Sequence, residues 1–212
     1  MKLFGYWRSS AAYRVRIALN LKQLAYDNIP VHLIKNGGEQ HSVSYQALNP
    51  AELVPTLQDG ELSLNQSLAI IEYLDEMYPQ PALLPSDVAD KATVRALALD
   101  IACDIHPLNN LRVLQYLTGP LQVDETEKLK WIQHWLHAGF KALEQRLAKT
   151  AGQYCFKDDV TVADLCLVPQ VYNAQRFSLD MTAYPIINRV HHNCQQLAAF
   201  ALAAPEQQPD AQ

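Results

Sequence analysis

The stretch "WRSSAAYRVRIALNL", Trp7 to Leu21, sets two consecutive serines, Ser9 and Ser10, at the start of an amphipathic helix, with Arg8 before them and Arg14 and Arg16 behind. The first N–H groups of a helix have no intrahelical acceptor and carry partial positive charge. A small anion is stabilised there, and hydroxyls add further donors. One serine is accounted for as an N-cap, worth about 1 kcal/mol. The second serine, with the small Ala11 and Ala12 beside it, leaves two readings open: a capped helix start, or a corner that holds an anion. Two other stretches bear on the choice. "LVPTL" puts Pro55 at the mouth of a strand, where a cis peptide would turn the Val54 backbone toward an extended ligand. "NQSLAII" puts Gln66 and Ser67 at the start of another helix, a second anion corner.

The elements that must carry these residues follow from periodicity. "KLFGYW" is short and apolar, as a buried strand is. In the helix after it, Ala11, Val15, Ala18 and Leu19 share one face, and Arg16, Asn20 and Gln23 share the other. Arg14 and Arg16 are therefore expected in surface ion pairs, with Arg14 bracing the region between domains. "YDNIPVHLI" reads as a second strand. "VPTLQ" and "LSLNQ", joined at Asp59-Gly60, read as a hairpin. "SLAIIEYLDEMY" turns Leu68, Ile71 and Leu74 inward and Glu72, Asp75 and Glu76 outward. The result is an α/β unit over 1–80. "YPQPALLPSD" holds three prolines and predicts a linker over 81–87. An all-helical domain is expected over 88–212, with helices over 88–117, 125–148, 162–177 and 186–202. Thr161 and Asp164 open the third of these at capping-box spacing, and the polar tail "APEQQPDAQ" is expected to fray.

Composition narrows the function. A net charge of -5 argues against a nucleic-acid partner. With no apolar run of about 18 residues and no signal-peptide pattern, the chain is expected in the cytoplasm, off the membrane. Cys103, Cys155, Cys166 and Cys194 are widely spaced, as reduced and mostly buried thiols are. His134 and His137 lack a third ligand, so no metal site is expected, and His191-His192 read as a helix surface. Any sulfur chemistry would then use a borrowed sulfur. Two helix starts and an exposed strand edge suit a short peptide carrying carboxylate and thiol, and glutathione is such a molecule.

At this point the chain resembles a known family. "RSSAAYRVRIAL", "YQALNPAELVPTL", "NQSLAIIEYL", "TVADLCLVPQV" and "RFSLDMTAYP" are similar to motifs of the zeta-class glutathione transferases, over nearly the whole chain. The class commonly carries Cys where Ala11 stands here. The resemblance implies a thioredoxin-like N-terminal domain, an all-α C-terminal domain, a homodimer, and glutathione as cofactor. It implies that Ser9 and Ser10 lie nearest the glutathione sulfur, with Tyr6 and Tyr13 as rivals. A thiol of pKa about 8.5 needs roughly 2.7 kcal/mol of anion preference to come down by about two. A helix terminus at about 0.3 to 2 kcal/mol and a hydroxyl bond at about 1.5 to 3 suffice together. The rest of the glutathione site is implied at Gln40, Val54, Gln66, Ser67, His106 and Asn110.

The class includes maleylacetoacetate and maleylpyruvate isomerases, whose substrates are small cis-configured dianions. Arg8, Arg112 and Arg176 are the implied substrate cations, because arginine binds carboxylates in two-point geometry. Ser9, Ser10 and Arg176 are the implied catalytic groups. The expected reaction is thiolate addition, bond rotation and elimination, converting maleylacetoacetate to fumarylacetoacetate in aromatic amino-acid breakdown, with glutathione transfer as a side activity. Maleylpyruvate, which Arg112 favours, is the alternative substrate. A glutathione-binding module with little catalysis is the alternative from another class.

Overall fold

The structure, a computed structural model, describes residues 1–212. It divides into two compact units, one of Met1–Leu83 with Gln195–Gln212, the other of Leu84–Cys194.

In the first unit, β1 (Lys2–Gly5), α1 (Ser10–Leu21) and β2 (Asp27–Pro30) are followed by the short α2 (Val43–Leu48). The hairpin β3 (Thr56–Asp59) and β4 (Leu62–Asn65) and then α3 (Ser67–Met77) complete the series. The sheet runs β2-β1-β3-β4, with β1 parallel to β2 and both other pairs antiparallel. A parallel pair needs a crossover, and α1 supplies it. Asp59 pairs with Leu62, so Gly60 and Glu61 make the two-residue turn, and Gly60 takes the left-handed conformation (φ 58°) that such a turn requires. Leu3, Leu57, Val15, Ile70, Ile71 and Leu74 fill the core between the sheet and helices α1 and α3. Ala12 has a packing reason to be small. A Cβ built on Gly5 would lie 3.2 Å from the Cβ of Ala12, so strand and helix meet at their two smallest residues.

Both faces of α1 are covered. Arg16 is buried and donates from Nε to the Ala203 carbonyl (3.0 Å) and from Nη2 to that of Trp7 (3.0 Å). Asn20 donates to the Ala199 carbonyl at 3.0 Å. Arg14 is buried as well. The surface ion pairs expected for Arg14 and Arg16 are thus replaced by interior contacts. The covering element is α9 (Ala198–Ala203), delivered by the far end of the chain. The tail beyond it is docked rather than frayed: Trp7 N–H donates to Asp210 Oδ2 (3.0 Å), and Asn28 Nδ2 to Gln208 Oε1 (3.2 Å). Residues 195–212 therefore group with the first unit, while the sequence reading carried the helical domain to 212.

Lys22 closes the lower end. Its fully buried ammonium donates to Asp75 Oδ1 (2.8 Å) and to the carbonyls of Tyr78 (2.6 Å) and Pro81 (3.0 Å). Asp75, read as outward from the sequence, also accepts from Leu83 N–H at 2.9 Å. The first part of the proline-rich stretch is held in the first unit by these bonds.

The second unit is helical. α4 (Val88–Leu99) passes into a wider π turn over Asp100–Ile105 and a 3-10 turn over His106–Asn109 before α5 (Leu111–Thr118) starts afresh. A continuous helix over 88–117 was expected. Pro107, which has no N–H, stands where it would have continued. α6 (Glu125–Thr150), the mostly buried α7 (Val162–Arg176) and α8 (Pro185–Gln195) follow. The capping box reads as expected: Thr161 N–H and Oγ1 donate to Asp164 Oδ2 at 2.8 and 3.1 Å. Asp164 also accepts from Cys155 N–H at 2.8 Å on its other oxygen. Burial raises its pKa despite these donors. No helix is long and apolar enough to cross a membrane.

Candidate functional site

In the first unit, Ser9 and Ser10 divide the labour at the start of α1. Ser9 is the N-cap, its Oγ accepting from Ala12 N–H at 3.2 Å. Ser10 is the first helical residue and only 7% exposed. The helix supplies no acceptor for the N–H groups of Ser10 and Ala11, and the Ser9 hydroxyl keeps its own hydrogen to donate. Capping and anion binding are therefore compatible at one corner.

Arg8 stands beside it, its guanidinium 4.6 Å from the Trp7 ring centroid, and its Nη2 donates to the Tyr6 hydroxyl at 3.1 Å. Tyr6 thus orients Arg8. The Tyr13 hydroxyl donates to the Phe200 carbonyl at 3.4 Å, toward the C-terminal segment. Both tyrosine hydroxyls are thus engaged within the unit, Tyr6 as an acceptor and Tyr13 as a donor.

Two further corners lie in the same unit. Val54 precedes Pro55 through a cis bond at the entry to β3. Gln66 is the N-cap of α3 with φ 68°, and its side chain makes no capping bond. Ser67 follows, buried, its Oγ accepting from Arg14 Nη1 at 3.2 Å. Arg14 therefore ties the helix carrying Ser9 and Ser10 to the start of the helix carrying Ser67. Gln40 is 5% exposed, and its Nε2 donates to the Leu33 carbonyl at 3.2 Å. The same Nε2 lies 3.0 Å from His41 Nε2, while His41 Nδ1 is hydrogen-bonded to Glu52. Gln46 donates to the other Glu52 oxygen at 2.9 Å. The sequence reading missed His41 and Glu52, which meet through a loop in which Glu52 takes a positive φ of 57°.

The second unit carries the remaining candidates. His106 opens the 3-10 turn and is half-buried. Asn110 is already engaged as the N-cap of α5, its Oδ1 accepting from Arg112 N–H at 3.1 Å. Arg112 is exposed in the first turn of α5, and Arg176 ends α7, stacked 4.5 Å from the Phe177 ring centroid. One helix holds both regions. Trp131 of α6 donates to the Leu108 carbonyl at 2.8 Å, and Gln133 to that of Phe177 at 3.0 Å. Gly139 lets α6 approach the π turn ahead of His106, because a Cβ there would come within 2.4 Å of Ile105.

Cys155 and Cys194 are buried thiols. Burial, reinforced by the Asp164 carboxylate, pushes Cys155 and Cys194 up, away from thiolate formation at neutral pH. His191, read as surface, is instead buried, and that burial, with His192 beside it, lowers its pKa from 6.5 to about 4.

Residues 3–82 match the family model for the glutathione S-transferase N-terminal domain. A probable maleylacetoacetate isomerase of Vibrio cholerae is 60% identical over 209 residues, covering 99% of this chain and 97% of that one. A solved holo structure of a maleylpyruvate isomerase, a bacterial zeta-class glutathione S-transferase, superposes with a TM-score of 0.97 at 48% identity, both chains covered in full. A maleylacetoacetate isomerase of Methylobacterium extorquens AM1, solved with bound malonate and glutathione, gives a TM-score of 0.96 at 40% identity, again over the whole of both chains.

Proposed function

Because the chain belongs to the zeta class of glutathione transferases, we propose that it is a glutathione-dependent cis–trans isomerase that converts maleylacetoacetate to fumarylacetoacetate. The observation that carries this reading is the start of α1, where a capping serine and a second serine sit at a helix end that favours an anion.

The residues present fit glutathione. Gln40 Oε1 and two nitrogens of Arg14 are buried without hydrogen-bond partners, a set matched to a ligand carrying amides and carboxylates. Ser9 and Ser10 hold the sulfur, Val54 offers its backbone to the peptide, and Gln40, Gln66 and Ser67 hold the two ends, with His106 and Asn110 as further contacts. When bound, glutathione supplies a thiolate that adds reversibly to the alkene and leaves again, so the former double bond is single long enough to turn. The chain's own work is to keep that sulfur ionised and to hold a dianion. The helix mouth and the Ser9 hydroxyl do the first; Arg8, Arg112 and Arg176 do the second by charge. Arg176 stabilises the charge that develops on the substrate oxygen during addition. No protein acid or base is required, since the proton count of the substrate does not change. A homodimer and a cytoplasmic location accompany this reading, and size-exclusion chromatography checks the first.

Maleylpyruvate is a second reading, favoured by Arg112 at the open first turn of α5. Steady-state loss of the two cis diacids, each with and without glutathione, tests both. Faster turnover of maleylacetoacetate is expected, and turnover undiminished by glutathione removal would overturn the mechanism.

A further inference from the structure

Arg14 sits one turn into α1 and is 2% exposed. A guanidinium stays ionised in any protein environment, and an ion removed from water is unfavourable unless paired and fully hydrogen-bonded. The other buried cations of this unit are better supplied with acceptors. Lys22 has a carboxylate and two carbonyls, and Arg16 has two carbonyls. Arg14 differs: only Nη1 is engaged, on Ser67 Oγ, while Nε and Nη2 have no hydrogen-bond partner. Its one contact is itself the first residue of α3, an eleven-residue helix whose N-cap, Gln66, makes no side-chain capping bond. A buried cation short of partners and a helix start short of a cap meet at one hydroxyl. Each alone asks for an anion.

We infer that Arg14 is the counter-charge for the γ-glutamyl α-carboxylate of glutathione and acts on it through Ser67. Arg14 Nη1–H donates into Ser67 Oγ, which leaves the hydroxyl hydrogen to donate outward to the carboxylate. The charged donor behind it makes that hydroxyl a stronger donor. Arg14 is thus a positioning residue. It shares α1 with Ser9 and Ser10, so one helix sets the register of both the sulfur and the γ-glutamyl end. This inference rests on the assignment of the Gln66–Ser67 corner to that carboxylate.

The test is calorimetric titration of the full-length protein with glutathione and with γ-aminobutyryl-cysteinylglycine, the same tripeptide without that carboxylate. Wild type is expected to prefer glutathione clearly. Arg14→Met is expected to weaken glutathione binding by about tenfold or more while changing the analogue by less than about twofold, so that the preference collapses. Arg14→Lys is expected to restore part of it. The ligand-free Arg14→Met protein is expected to melt at or above the wild-type temperature, because a poorly paired buried charge has gone; an arginine kept only for structure would lower it. If Arg14→Met does not fold, Ser67→Ala carries the same comparison: a collapsed preference for glutathione with the analogue's affinity unchanged supports the relay, and an unchanged preference overturns it. Equal losses on both ligands, or unchanged glutathione affinity, overturn the role of Arg14. A wild type that binds both tripeptides equally overturns the assignment of the corner, and one that binds neither overturns the glutathione reading as a whole.

Discussion

Gln40 Nε2 lies 3.0 Å from His41 Nε2, and the opposite ring nitrogen of that histidine is hydrogen-bonded to Glu52. The Leu33 carbonyl fixes the Gln40 amide by accepting from its nitrogen. His41 Nε2 must then accept, which places its proton on Nδ1, facing Glu52. A neighbour in sequence and an acid eleven residues further on thereby set which way the Gln40 oxygen faces.

Removing that relay should therefore be felt by the ligand. His41→Phe and Glu52→Ala are each expected to weaken glutathione binding about fivefold, the loss of roughly one hydrogen bond's worth of positioning, with little change in thiol acidity. Titration calorimetry at neutral pH checks it, and unchanged affinity in both variants would dissociate Gln40 from the tripeptide.

The two serines should separate by readout. Ser9→Ala removes the α1 cap and is expected to cost about 1 kcal/mol of folding stability, whereas Ser10→Ala should stay within about 0.5 kcal/mol of wild type. Both are expected to raise the pKa of the bound glutathione thiol, followed by the ultraviolet absorbance of the thiolate during titration. A bound thiol as weakly acidic as the free tripeptide in wild type would remove the catalytic role of both.

Lys22→Met leaves the Asp75 carboxylate and two carbonyls short of a buried partner. A destabilisation of about 3–5 kcal/mol is expected, read as a lowered urea midpoint. Restoring much of that stability by pairing the change with Asp75→Leu would identify the stranded carboxylate as its cause.

Acid sensitivity follows from His191. Its folded pKa of about 4 lies below its ordinary 6.5, because burial first and His192 second disfavour the charged ring. Between those values the unfolded chain binds the extra proton, so stability falls as pH falls, by about 2 kcal/mol on reaching about pH 5. Asp164 works in the opposite sense, since burial raises its pKa, but in the lower, carboxylate window. His191→Leu is expected to flatten the pH dependence of the urea midpoint above about pH 5, and an unchanged slope would refute the assignment.

What could be read from the sequence was local. The strand–helix–strand order, the Asp59-Gly60 hairpin signal and the Thr161–Asp164 box all depend on spacings of a few residues, and the structure places them within a residue or two. Arg14, Arg16 and His191 were misread for a common reason. A helical wheel assigns polar residues to solvent, but the polar face of α1 finds its acceptors at Ala199 and Ala203, on a segment nearly the whole chain away. Gln40 was legible as a candidate through family motifs, while its support from His41 and Glu52 depends on a loop conformation that no periodicity encodes.

The docking of residues 195–212 onto α1, Trp7 and the edge strand β2 has a bearing on biosynthesis. As the nascent chain leaves the ribosome, the first unit emerges early yet lacks the covering helix and the acceptors for Arg16 and Asn20 until the last stretch is translated. The unit that carries both serines therefore waits through synthesis of the entire helical unit before it can close.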